Sequence, residues 1–252
     1  ESYIRGFSGY ACEILVVYYG SFLDLIKNSA KWQDKAVVDV ERYYKGKDVF
    51  KLVNTSKLIS PLIIIDPVQK DRNAAAALSN EKFERFKRAA RDFIKSPSKD
   101  FFAKSDLSSA FKGLKNSSNK MITINLAPLA GKIDVVGSKL LKICEFFVKK
   151  LQEHEFKIIK SEWEWDKKKD AVLYFLIGKK PLPKTVEIEG PPISIKQHVE
   201  RFRKIHKKTF VKKSKIYALV QRKYTHPEDL LRSMAKDEFV RERSKSIGFK
   251  IN

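Results

Sequence analysis

The sequence predicts an α+β chain: a mainly helical first half followed by a ferredoxin-like, RRM-like α/β second half. Three observations carry this. Residues Tyr10 to Trp32 and "NEKFERFKRAARDFIK" read as helical; strand-like and helix-like stretches alternate beyond residue 104. Charge is also uneven, net +5 over residues 1–100 and +17 over the remaining 152. The break falls at "KSPSKDFFAKSD", where Pro97 and a Ser/Lys/Asp cluster interrupt the helical pattern, giving domains 1–103 and 104–252.

From Tyr10 to Trp32 apolar residues lie on nearly every helical face, the pattern of a central helix surrounded by others. Within it stands Gly20-Ser21, and Asp39-Val40-Glu41 follows the apolar pair Val37-Val38. Metal-dependent nucleotidyltransferases use such groups: a Gly-Ser turn for the triphosphate, and two carboxylates one residue apart on a strand, pointing the same way and sharing metal ions. The placement argues against that reading, because Gly20-Ser21 falls in mid-helix and the carboxylates come too far downstream for one strand-turn-helix unit. Gly20 is expected to let another helix approach, and Asp39 and Glu41 to lie on a polar edge. Next, Leu62 to Ile65 predicts a short buried strand, Asp66-Pro67 a turn, and Asp71, Arg72 and Asn73 a polar group before Ala74 to Ala77, whose small side chains permit close approach. Ser79 then caps a helix from about Asn80 to Ile94, with Lys82 at N3.

In the second half "KMITINLA" reads as a strand, "IDVVGSKLLKICEFFVKKLQEHEF" as a long amphipathic helix, and "KIIKSEWEWDKKKDAVLYFLIG" as a hairpin turning at Lys167 to Asp170. "TVEIEG" is an extra strand, "SIKQHVERFRKIHKK" a helix, and "KIYALVQRKY" the last strand. This βαββ(β)αβ order is that of the split βαβ sandwich, used by RNA-binding domains and by many unrelated proteins. Trp163 and Trp165 face one side of their strand and are expected as core beneath the helices. No aromatic-rich single-strand-binding motif accompanies them.

The 52 Lys and Arg against 30 Asp and Glu give +22, the footprint of a polyanionic partner. The excess is densest over residues 195–224, where Lys196, Arg201, Arg203, Lys204, Lys207, Lys208, Lys212, Lys213, Lys215, Arg222 and Lys223 oppose only Glu200. These positions span a helix, a loop and a strand, which suits a curved phosphate backbone, so duplex RNA read by shape and phosphate is the expected partner. Cys12 and Cys144 are far apart and the four His are isolated, so no metal site is expected and the chain fits a reducing, cytoplasmic compartment. The apolar run "ACEILVVYYGSFLDLI" is too short and too acidic for a membrane span.

Particular stretches add a resemblance. "IRGFSGYACEILVVYYGSF" with Trp32, "IIIDPVQKDRNAAAALS" with "FERFKRAARDFIKSPSKDFF", and "RKYTHPEDLLRSMAKDEF" resemble the archaeal-type (class I) tRNA nucleotidyltransferases, the CCA-adding enzymes. The resemblance implies a neck, body and tail, with the catalytic head and its carboxylates expected before Glu1. It therefore implies no catalytic residue in this chain, Mg2+ bound by the head, and inactivity of the chain by itself. It also implies CTP and ATP as substrates of the complete enzyme and tRNA, gripped along its acceptor stem and T arm, as partner. Arg72, flanked by Asp71 and Asn73, matches the family's nucleotide-recognising segment. An Arg suits that role because its planar fork offers several fixed donors; bracing Asp66 or Asp71 is its structural alternative. The competing reading of the whole chain is a non-catalytic protein that binds structured RNA.

Overall fold

In the computed structural model, which describes residues 3–103 and 106–251, the first apolar run is two helices rather than one. Helix α1 (Gly9–Tyr19) starts at Ser8, whose hydroxyl accepts from the Ala11 amide, and stops at Gly20 with φ +85°. Ser21 immediately caps α2 (Phe22–Ser29) by accepting from the Asp24 amide, and the two axes differ by 94°. Gly20-Ser21 is thus a corner, not mid-helix. Nor does Gly20 admit a neighbour: a Cβ there would meet nothing within 4 Å. Glycine is needed for the left-handed backbone, which costs other residues about 1–2 kcal/mol. The helices are not surrounded either. Ile14, Leu15 and Leu25 are buried, but Val17, Tyr18, Phe22 and Leu23 are exposed. Among the described residues no single helix is long and apolar enough to cross a membrane.

Strand β1 (Ala36–Val38) pairs in parallel with β2 (Leu62–Ile64). The run Leu62 to Ile65 lacks alternation because both its faces are covered. Leu62 and Ile64 join Leu15, Trp32 and Phe83, whereas Ile63 and Ile65 join Val53, Leu58 and Val49 of α3 (Val49–Leu52). Trp32 stacks on Phe83 of α4 (Asn80–Lys95), which Ser79 caps by accepting from the Lys82 amide. Strand β1 ends at Val38, so Asp39 and Glu41 are not alternate strand residues. The two Asp39 oxygens accept the Tyr43 and Tyr44 amides at 3.2 and 2.8 Å and close a turn.

Residues 1–105 form one compact unit and 106–252 a second. The second contains α5 (Leu107–Gly113), β3 (Asn119–Ala127), α6 (Ile133–Glu153), β4 (Ile158–Glu164), β5 (Ala171–Gly178), β6 (Thr185–Pro192), α7 (Lys196–Ile205), β7 (Thr209–Lys212), β8 (Lys215–Gln221), α8 (Pro227–Met234), α9 (Glu238–Arg241) and β9 (Ser246–Ile251). Its main sheet is antiparallel with order β4-β5-β3-β9, the ferredoxin-like arrangement. Two expected assignments are corrected. The second crossover helix is α8, not α7, and the closing strand is β9, not "KIYALVQRKY". Leu140, Ile143 and Phe147 of α6 and Leu230 and Leu231 of α8 pack together on one face, with Trp163 and Trp165 against that core as expected. Phe111 of α5 covers Met121, Tyr174 and Leu176 on the other face.

Between β5 and α8 lies an inserted layer, a three-stranded sheet of order β6-β8-β7 with α7 on it. Gly190 lets this layer close: a Cβ there would stand 2.8 Å from the Phe202 ring of α7 and 2.8 Å from Ile216. The densest basic segment therefore belongs to an insertion in the sandwich.

Candidate nucleotide and nucleic-acid interface

Asp66 organises the polar turn that follows β2. Its carboxylate is 2% exposed, yet accepts four hydrogen bonds and lies 2.9 Å from the Arg72 guanidinium, which is 56% exposed. Tyr10 O–H and the Val68 amide donate to one oxygen at 2.8 Å each, the Gln69 amide to the same oxygen at 3.3 Å, and Arg72 Nη1 to the other. Burial pushes the Asp66 carboxyl up, but the Val68, Tyr10 and Gln69 donors and the Arg72 charge together hold it below the usual range. The Tyr10 hydroxyl is pushed up, mainly by its bond to Asp66. One edge of Arg72 is fixed, with the guanidinium 6.0 Å from the Tyr10 ring, while the rest of the fork faces solvent.

Arg72 lines a cavity of about 380 Å3 together with Gly6, Ser8, Lys57, Asn73, Ala74, Ala76 and Ala77. Lys57 Nζ donates to the Asp71 carboxylate and to the Asp71 carbonyl, both at 2.8 Å, and draws the Asp71 carboxyl down. The three expected nucleotide residues thus part company. Arg72 keeps free donors at the cavity. Asp71 points its carboxylate at Lys57. Asn73 is 4% exposed, and its amide is filled from within: Oδ1 accepts from Ile64 and Ala75, and Nδ2 donates to Lys57, Ser60 and Leu62 oxygens. Asn73 therefore borders the cavity, but its side-chain amide is spent on shaping the turn. Tyr10 and Lys57, which nothing in the sequence marks as site residues, reach the site from 62 and 15 positions before Arg72.

The eleven basic residues of 195–224 also divide. Lys212 lies 2.9 Å from Glu187, and Lys215 and Arg222 pair with Glu189 and Glu155. Tyr217 O–H donates to Glu189 at 2.9 Å and stacks on Phe210, so the outer face of the inserted sheet is aromatic and neutralised. Bonds to Glu187 and Glu189 raise Lys212 and Lys215, and Lys215 lowers Glu189. Lys196, Arg201, Arg203, Lys204, Lys207, Lys208, Lys213 and Lys223 are exposed and pair with no carboxylate among the described residues. The first six lie on α7 and the turn after it. Lys213 sits at the opposite end of β7 from Lys207 and Lys208, roughly 17 to 20 Å away at strand rise.

Both units match domain families. The model of the second domain of tRNA nucleotidyltransferases covers residues 1–103, and that of the C-terminal domain of CCA-adding enzymes covers 131–250. The chain belongs to the CCA-adding enzyme family. Among curated CCA-adding enzymes, that of Methanocaldococcus jannaschii is 34% identical over 91% of this chain and 51% of its own length. That of Archaeoglobus fulgidus is 30% identical over 93% and 53%, and that of Methanothermobacter thermautotrophicus 26% over 100% and 54%. The chain spans about half the length of the curated CCA-adding relatives it matches.

Proposed function

We propose that this chain supplies the nucleotide-selecting and tRNA-gripping portion of a transferase that adds C, C and A to tRNA 3′ ends from CTP and ATP. The single observation that carries it is the half-fixed Arg72, anchored to a buried carboxylate by one nitrogen, more than half exposed, and lining a cavity. Such a fork can donate to the acceptors of an incoming cytosine or adenine and to a phosphate at once. The unpaired cations of α7 and its following turn hold the acceptor stem and T arm by their phosphates, which positions any tRNA without reading its sequence.

The same reading assigns Mg2+ to the part of the relatives that this chain does not match. The residues present do not fit it: Asp39 closes a backbone turn, Asp66 holds Arg72, and among the described residues no three His, Cys, Asp or Glu gather at metal spacing. By itself the chain is expected to incorporate neither C nor A, and incorporation that depended on Asp39 would overturn this.

The test joins the chain to the unmatched part of a relative in one polypeptide. CTP- and ATP-dependent extension of a tRNA lacking its CCA end is the expected result. RNA binding without extension would favour the non-catalytic RNA-binding reading instead.

A further inference from the structure

A further cavity, about 430 Å3, lies in the first unit and is not used by the site above. Its floor is apolar, from Val37, Val49, Phe50 and the Tyr44 ring, and its rim carries Arg42, Lys45 and Lys47. Left-handed backbone at Arg42 (φ +58°) and Gly46 (φ +71°) folds the short segment so that the three cations gather on one opening. None of the three pairs with a carboxylate among the described residues. The two acids that also line the cavity are occupied: Asp39 accepts the Tyr43 and Tyr44 amides, and Asp48 accepts the Phe50 amide and stands 3.8 Å from Lys51. The segment is also tied to the Arg72 turn, Tyr43 O–H donating to the Pro67 carbonyl at 2.7 Å and Tyr44 O–H to the Lys70 carbonyl at 2.9 Å.

We infer that this cavity is a second ligand site, taking one unpaired nucleotide of an RNA strand, with its phosphate on Lys45, Lys47 and Arg42 and its base on the apolar floor. A duplex hides its base faces within the stack, so the aromatic and aliphatic floor favours a single-stranded residue over a paired one. A volume of this order accommodates a mononucleotide unit. Given the reading under Proposed function, that residue belongs to the single-stranded 3′ end of the tRNA, and the two tyrosine bonds keep its site in register with Arg72.

The experiment titrates the chain with an RNA hairpin bearing a four-nucleotide 3′ overhang and with the same hairpin made blunt. The double variant Lys45→Ser, Lys47→Ser should bind the overhanging hairpin about tenfold more weakly, with the salt slope reduced by roughly 1.4, and the blunt hairpin as wild type does. The variant Lys31→Ser, Lys99→Ser makes the same charge change at exposed lysines that do not line the cavity, and should lose no overhang preference. Equal losses on both hairpins, or none, would overturn the inference while leaving the tRNA reading intact. Binding of neither hairpin by wild type would instead sink the tRNA reading. A free tetranucleotide titrated against wild type and the Lys45/Lys47 variant would then decide the cavity, equal affinities overturning it.

Discussion

The two cation-bearing regions hold their charges in opposite ways. Around Arg72 each acid has a partner: Asp66 grips the guanidinium and Asp71 takes Lys57, so one fork points in a set direction. On α7 and the turn after it, six cations stand in solvent with no carboxylate to orient them. The first arrangement suits recognition, where geometry decides. The second suits attraction, where long flexible side chains follow a phosphate track and local detail matters little. Within the insertion itself the contrast repeats, since Lys212 and Lys215 on its strands are cancelled by Glu187 and Glu189.

The largest expected effect breaks the recognition side. In a complete transferase, Arg72→Ala should lower CTP and ATP incorporation by about tenfold to a thousandfold, the loss of one or two charge-assisted hydrogen bonds. Arg72→Lys should rescue poorly, because a point charge has no fork. Steady-state kinetics with CTP, ATP and UTP checks both. Unchanged kinetics with a lower melting temperature would reduce Arg72 to a brace for Asp66.

Next comes the grip. Replacing Arg201, Lys204, Lys207 and Lys208 by Gln should weaken minihelix binding by about thirty- to a hundredfold and cut the salt slope by roughly 3 to 4, near 0.9 per phosphate contact. Removing the neutral pair Lys212→Gln with Glu187→Gln leaves net charge unchanged and should move affinity by less than about twofold. Equal effects would erase the distinction between the two faces of the insertion.

A smaller effect sharpens the role of the buried carboxylate. Asp66→Ala leaves the Val68 and Gln69 amides and Tyr10 O–H without their acceptor, and should destabilise the chain by about 2–4 kcal/mol in denaturant melts. Because the folded carboxyl is held below its unfolded value, its stabilisation is complete above the unfolded value near 4 and is lost as pH falls through the depressed folded value. Acid titration should show wild type losing stability in that range and Asp66→Ala losing less. The smallest effect is at the helix corner: Gly20→Ala should cost about 1–2 kcal/mol through its φ of +85° and leave minihelix affinity unchanged.

What was legible in the sequence was local. The Ser79 cap, the apolar face of α6, the β4–β5 hairpin and the Asp66–Arg72 choice all lie within a few residues of their cause. The misses were non-local. "SIGFKI" is a weak strand pattern that becomes β9 only because β3 offers an open edge more than a hundred residues earlier, whereas "KIYALVQRKY" has the stronger pattern but finds its partners inside the insertion. Arg222 reads as a free cation until Glu155, sixty-seven positions away, is brought to it. Asn73 reads as a ligand because polar residues beside Arg72 look alike in sequence; only folding shows its amide turned inward. The corner at Gly20 was missed because apolar content on every face masks the Gly-Ser stop and start signals.

The most direct test of the separation between recognition and grip measures two constants on the same two variants of a complete transferase: KM for CTP and Kd for the acceptor/T-arm minihelix. Arg72→Lys is predicted to raise KM for CTP at least severalfold with Kd unchanged, and the variant at Arg201, Lys204, Lys207 and Lys208 to raise Kd with KM for CTP unchanged at saturating RNA. Variants that moved both constants together would contradict the account.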